Sequence, residues 1–267
     1  MKRIKLVVAY DGTDYCGWQV QPTGQTVEGV LNQTLSELLR EDIVVIGASR
    51  TDSGVHALGN VAVFDTNTRI PAEKISFALN TRLPDTIKIQ DSCEVDKDFH
   101  PRHCVSFKTY EYRILNSKFP LPTNRLYANF IYRPLDIEAM QKACQYLIGE
   151  HDFKSFCSAK TQVLTTVRTI YELSVSSKDS DTGLENNIDT GLGNNIDTGF
   201  GNEISIRVKG SGFLYNMVRI IAGTLIEVGL HVYEPEHVKE ILEGKDRSLA
   251  GDTAPACGLT LKKIEYL

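Results

Sequence analysis

One order of apolar patterns, β-α-β-β-α-β, runs through the first hundred residues of the chain and then runs again through the rest. Residues 2–9 alternate apolar and polar, as a half-buried strand does. Residues 26–40 carry Val27, Val30, Leu31, Leu35, Leu38 and Leu39 at helical spacing, behind Thr26 as N-cap. Strands are then expected over 43–46 and 61–64, a helix over 72–82 and a strand over 87–95. The second round gives a strand over 105–115 and a helix opened by Asp136, with Gly149 just past its end. Strands over 167–176 and 204–208, a helix over 215–228 and a strand over 259–266 complete it. A short helix over 235–243 is extra, with Pro235 at its start and Gly244 at its end.

This order predicts an α+β chain of two ferredoxin-like halves, 1–103 and 104–267, with the boundary near Pro101–Cys104. A composition of 42% hydrophobic and 24% charged residues supports a buried core and excludes a disordered chain. No run reaches the ~18 uninterrupted apolar residues of a membrane span. The longest candidate, 213–230, is broken by Asn216, Arg219 and Glu227. The apolar run at 6–9 is too short for a signal peptide, so the chain is expected to be cytoplasmic and free of membrane. The six cysteines are scattered without a Cys-x-x-Cys pair, which reads as reduced thiols rather than disulfides or a zinc knuckle. His100-Pro101-Arg102-His103-Cys104 groups metal-ligating types but reads as a polar loop. No phosphate loop or dinucleotide fingerprint is present, and no metal or cofactor is expected.

Residues 181–204 are three copies of one octapeptide, beginning Asp-Thr-Gly each time. The period does not fit the nonapeptide calcium roll, and three turns are few for a solenoid. The repeat reads as an inert insertion in a surface loop, where added length costs little closure entropy, and its deletion is expected to be tolerated. It also distorts the net charge of −5. Residues 177–204 hold six acids (Asp179, Asp181, Glu185, Asp189, Asp197, Glu203) against Lys178, so the remaining chain is neutral. Residues 99–133 instead carry six basic groups against Glu111 alone, interleaved with eight aromatics that include Tyr110 and Tyr112. Cations for phosphates and rings for splayed bases suit looped RNA.

Three side chains stand out. Asp52 lies in Arg50-Thr51-Asp52-Ser53-Gly54, a sequence suited to a tight turn and equally to an exposed carboxylate beside a guanidinium. Arg219 lies opposite the apolar face of its helix, flanked by Ala222 and Gly223, small residues that invite close approach by another surface. Tyr110 shares one side of its strand with Lys108, Tyr112 and Ile114.

Taken together, these segments resemble the TruA family of tRNA pseudouridine synthases. The resemblance runs through Tyr10-Asp11-Gly12-Thr13, Tyr15-Cys16-Gly17-Trp18-Gln19-Val20-Gln21-Pro22, Arg50-Thr51-Asp52-Ser53-Gly54-Val55-His56-Ala57 and Phe99-His100-Pro101-Arg102. It continues through Lys108-Thr109-Tyr110-Glu111-Tyr112-Arg113, His151-Asp152-Phe153-Lys154-Ser155-Phe156, Gly212-Phe213-Leu214-Tyr215-Asn216-Met217-Val218-Arg219 and Ala254-Pro255-Ala256-Cys257-Gly258-Leu259. The chain departs from the family pattern at Ser49, usually Gly, and at Ser53, more often Ala.

The resemblance implies a cofactor-free homodimer, its two sheets joined around a central RNA-binding cleft, that isomerises uridine to pseudouridine at positions 38 to 40 of the tRNA anticodon stem-loop. It makes Asp52 the nucleophile, attacking either the uracil ring or the ribose anomeric carbon of a flipped nucleotide. Arg50 is then placed to fill the vacated stack or hold a phosphate. Arg219 is expected to pair with Asp52, and Tyr110 to lie against the base and help move the proton from carbon 5. Lys108, Arg102 and Arg113 are expected at phosphates. A related synthase with another RNA target is supported equally well by the duplicated body, whereas the intact Asp52, Tyr110 and Arg219 speak against an inactive tRNA-binding protein of the same fold.

Overall fold

The structure, a computed structural model, describes residues 1–158, 163–178, 187–189, 195–197 and 202–267. They form a mixed α+β structure in two compact units, one of Met1–Tyr110 with Thr260–Leu267, the other of Glu111–Leu259.

In the first unit, β1 (Lys2–Tyr10) is followed by α1 (Val27–Leu39), β2 (Ile46–Gly47), β3 (His56–Thr66), α2 (Ala72–Asn80) and β4 (Ile87–Val95). β5 (Ser106–Asn116) then carries the chain across the unit boundary. β1 pairs antiparallel with both β3 and β4, and β2 pairs antiparallel with β3, giving the order β4-β1-β3-β2. Alternation fixes the register: Ile4, Leu6 and Val8 point inward with no exposure, and Leu31, Leu35, Ile75 and Leu79 of the two helices are equally buried. Arg3 faces Asp65 across the β1–β3 ladder, and their side chains form an ion pair at 2.7 Å. The Thr26 hydroxyl accepts from the Gly29 N–H and caps α1 as expected.

The second unit comprises β6 (Asn129–Ile131), α3 (Ile137–Cys144), β7 (Gly149–Asp152), β8 (Val167–Lys178), β9 (Asn187–Asp189), β10 (Asn195–Asp197), β11 (Asn202–Gly210), α4 (Met217–Gly229) and α5 (His237–Gly244). Its strand order is β5-β11-β8-β7, with β6 parallel to β5. The Asp136 carboxylate caps α3 by accepting from the Ala139 N–H. Met140, Ala143, Leu173, Ile206 and Ile220 contribute to the core. No helix among the described residues is long and apolar enough to cross a membrane.

Several expectations change. The last strand, β12 (Leu259–Tyr266), pairs in parallel with β3 through Thr260 and Leu261, so residues from Thr260 onward belong to the first unit. The unit boundary falls at Tyr110/Glu111, past the expected one, because the first residues of β5 pack with that unit. β7 was not legible as a strand: its residues Gly149-Glu150-His151-Asp152 have no apolar alternation, and pairing with β8 alone makes them one. The repeat also ends differently. Successive copies supply β9 and β10, which pair antiparallel, and the Asn202-Glu203-Ile204 end of the third copy is the start of β11. Ile204 is 1% exposed, so deleting the whole of 181–204 would remove core. The rest of the repeat lies outside the described residues.

Candidate functional site

The Asp52 loop joins β2 to β3, and its shape is set by the segment that follows β1, which carries Gly12, Tyr15, Gly17 and Trp18. Thr51 carbonyl oxygen accepts from the Trp18 N–H at 3.1 Å, and Tyr15 carbonyl oxygen accepts from the Gly54 N–H at 3.3 Å. Val55 N–H closes a turn on the Asp52 carbonyl at 3.1 Å. Gly17 sits at φ 91° with Thr51 directly against it, a position closed to a side chain on both counts. The Ser53 hydroxyl donates to the Tyr15 carbonyl at 3.1 Å, so one departure from the family pattern works as a loop tether. Trp18 and Tyr15 are buried, which gives the turn a rigid floor.

Beneath the loop lies a buried polar network. Asn60 donates to the Ser49 carbonyl at 3.0 Å and to the Tyr10 hydroxyl at 3.3 Å. Tyr10 and Thr51 share a hydrogen bond at 2.8 Å, and the Ser49 and Tyr110 hydroxyls share one at 2.9 Å. Every partner is satisfied within the network, as such buried groups require. Burial pushes the Tyr110 phenol up to about 12; the Ser49 hydrogen bond opposes that rise and the nearby Asp52 charge adds to it. Burial likewise raises the Tyr10 phenol above its ordinary range.

The expected site residues therefore divide. Asp52, Arg50 and Tyr110 lie in the first unit, with Asp52 half-buried and Arg50 exposed, its guanidinium 3.3 Å from the Gln19 side-chain oxygen. Arg219 belongs to the second unit, on the first turn of α4. Its Nε donates to the Ala254 carbonyl at 2.7 Å, its Nη1 to the Asn216 side chain at 3.0 Å, and its own carbonyl accepts from Ala254 N–H. The close approach implied by Gly223 is real: a Cβ there would overlap the Asp252 carbonyl. The approaching surface is the chain's own segment before β12.

Each of the three cations expected at phosphates also holds a protein group. Arg102 Nε donates to the Gly47 carbonyl at 2.7 Å, and Lys108 Nζ to the Ala48 carbonyl at 3.2 Å. Arg113 pairs with Glu203 at 2.6 Å. Arg102 and Lys108 thus brace the strand end that leads into Arg50-Thr51-Asp52. Asn60 escaped the reading of the sequence, although a polar residue inside the apolar run 55–64 was a usable signal, and Ser49 entered it only as a departure from the family pattern. His100 and His103 stack at 3.9 Å, and no cluster of three metal-ligating side chains exists among the described residues.

Comparison with known proteins places this geometry in context. A family model described as tRNA pseudouridine synthase matches residues 6–103 and 143–267. The chain is 47% identical to the tRNA pseudouridine synthase A of Brevibacillus brevis over 266 residues, covering 100% of both proteins. It is 46% identical to that of Thermoanaerobacter pseudethanolicus and 42% identical to that of Acetivibrio thermocellus, again with full coverage of each.

Proposed function

The chain belongs to the tRNA pseudouridine synthase family, and from that premise we propose that it isomerises uridine to pseudouridine in the tRNA anticodon stem-loop, at positions 38 to 40, with Asp52 as nucleophile. The observation that carries the reading is a carboxylate on a braced turn, close to a buried phenol. The target uridine leaves the stack, Asp52 attacks, the glycosidic bond breaks, the base turns and rejoins through carbon 5, and the bond to Asp52 breaks to return the free carboxylate. Arg50, the exposed cation beside Asp52, fits the vacated stack or the flanking phosphate.

Tyr110 is the group for the carbon-5 proton in this reading. Its ionisation is opposed by burial and by the Asp52 charge. The Ser49 hydroxyl, 2.9 Å from the phenol oxygen, favours the ionised form that a base needs. The family resemblance assigns Arg219 to keeping Asp52 ionised. The order β4-β1-β3-β2 with two crossing helices supports the ferredoxin-like reading of the first unit. A homodimer in the cytoplasm, where tRNA is modified, completes the proposal.

Asp52→Asn keeps the shape of the side chain and removes the nucleophile. Pseudouridine formation in a tRNA transcript is expected to fall at least ~10³-fold, with tRNA affinity nearly unchanged. Retained turnover would overturn the assignment of Asp52. Base-resolved mapping with the wild-type chain tests the target: pseudouridine outside positions 38 to 40 would favour a related synthase with another substrate.

A further inference from the structure

We propose that Ser49 is a positioning residue for Tyr110, holding the phenol oxygen that removes the proton from carbon 5 of the rejoined base. The inference rests on the role given to Tyr110 above. Ser49 and Tyr110 are 6% and 7% exposed, and their hydroxyl oxygens are 2.9 Å apart. The Ser49 backbone is fixed without its side chain: its own carbonyl accepts from Asn60, and the carbonyls of Gly47 and Ala48 accept from Arg102 and Lys108. Ala48 N–H also donates to the Val61 carbonyl at 2.7 Å. The Ser49 hydroxyl is therefore not what shapes the loop. Its remaining effect is on Tyr110, whose oxygen it locates and whose ionised form it stabilises by donating a hydrogen bond.

The proton step balances without an outside reagent. After the base rejoins the sugar, carbon 5 carries both its hydrogen and the new bond. Ring nitrogen 1 takes one proton, by way of solvent, from the Tyr110 phenol; the resulting phenolate takes the proton from carbon 5, the C–H electron pair returns to the ring, and the neutral phenol is restored.

The test compares two tRNA substrates in single turnover, one with uridine and one with 5-fluorouridine at the target. Fluorine does not leave carbon 5 as a cation, so the fluorinated substrate runs through attack and bond cleavage and stops before the proton step. Ser49→Ala, with Ser49→Gly as a second hydroxyl-free variant, is expected to slow pseudouridine formation roughly 10- to 100-fold. Processing of the fluorinated tRNA is expected to change less than about 3-fold, and Ser49→Thr to restore the uridine rate to a similar margin. In a Tyr110→Phe background, Ser49→Ala is expected to add less than about 2-fold, the sign of a shared step. Equal slowing of both substrates, or no slowing, would overturn the inference. If Tyr110→Phe itself leaves the uridine rate unchanged, the reading of Tyr110 fails first, and that result is distinct from a failure confined to Ser49.

Discussion

Lys108 shows how a single contact changes the meaning of a charge. In the sequence it is one of a run of basic residues suited to phosphates; in the structure its ammonium donates to the Ala48 carbonyl, two residues before Arg50. A phosphate contact and a loop brace fail differently. Loss of a phosphate contact weakens tRNA binding and lowers the salt slope of affinity by about one unit. Lys108→Met is instead expected to lower kcat about 5- to 50-fold with the salt slope unchanged, because it loosens the strand end that carries Asp52. Binding titrations at several salt concentrations, alongside single-turnover rates, separate the two. Asp52, Arg50 and Tyr110 were legible because turn chemistry and a motif name them. Asn60 was not, and Ser49 was visible only as an unusual residue, since what they do depends on partners 11 and 61 residues away.

At the scale of elements, local rules carried the helices and pairing decided the strands. Thr26 caps α1 as its sequence position suggests, and Thr26→Ala is expected to cost about 1 kcal/mol in a denaturant titration. The Arg3–Asp65 pair clamps β1 to β3, and the guanidinium beside Asp65 holds its carboxyl below the usual carboxylate range. A carboxyl with a depressed folded-state pKa stabilises the fold above its unfolded value, and that contribution disappears as pH falls through the folded one. Asp65→Asn is therefore expected to lower stability by ~0.5–1 kcal/mol at pH 7, allowing for the exposure of both partners. The difference should close as pH drops below about 4. Urea titrations of both proteins across that range check the sign. β7 escaped the reading, and the strand expected over 43–46 is observed as β2 at Ile46–Gly47, because neither has a periodic signature and each is a strand only through its neighbour.

For the whole molecule, the repeat and the two units matter most. Deletion of 181–200 removes Asp181, Glu185, Asp189 and Asp197 without taking a base, and stops short of β11. It is expected to leave the thermal midpoint and turnover near wild type, and to tighten tRNA binding at low salt. Deletion of 181–204 goes further, into buried Ile204 and the Glu203 that pairs with Arg113. Its expected cost is about 2–5 kcal/mol, the range for removing a buried aliphatic side chain. Equal stability of the two deletions would mean that the start of β11 contributes nothing.

The sequence by itself determined the β-α-β-β-α-β order of residues 2–95, the caps of α1 and α3, the loop that carries Asp52 and the family, because these rest on periodicity and on residues adjacent in the chain. Only the tertiary structure decided that Thr260–Leu267 returns to the first unit, that Arg102 and Lys108 brace a backbone, and that Ser49 meets Tyr110. Strand pairing and buried hydrogen bonds join residues far apart in the chain, and their partners are chosen by packing rather than by neighbouring sequence.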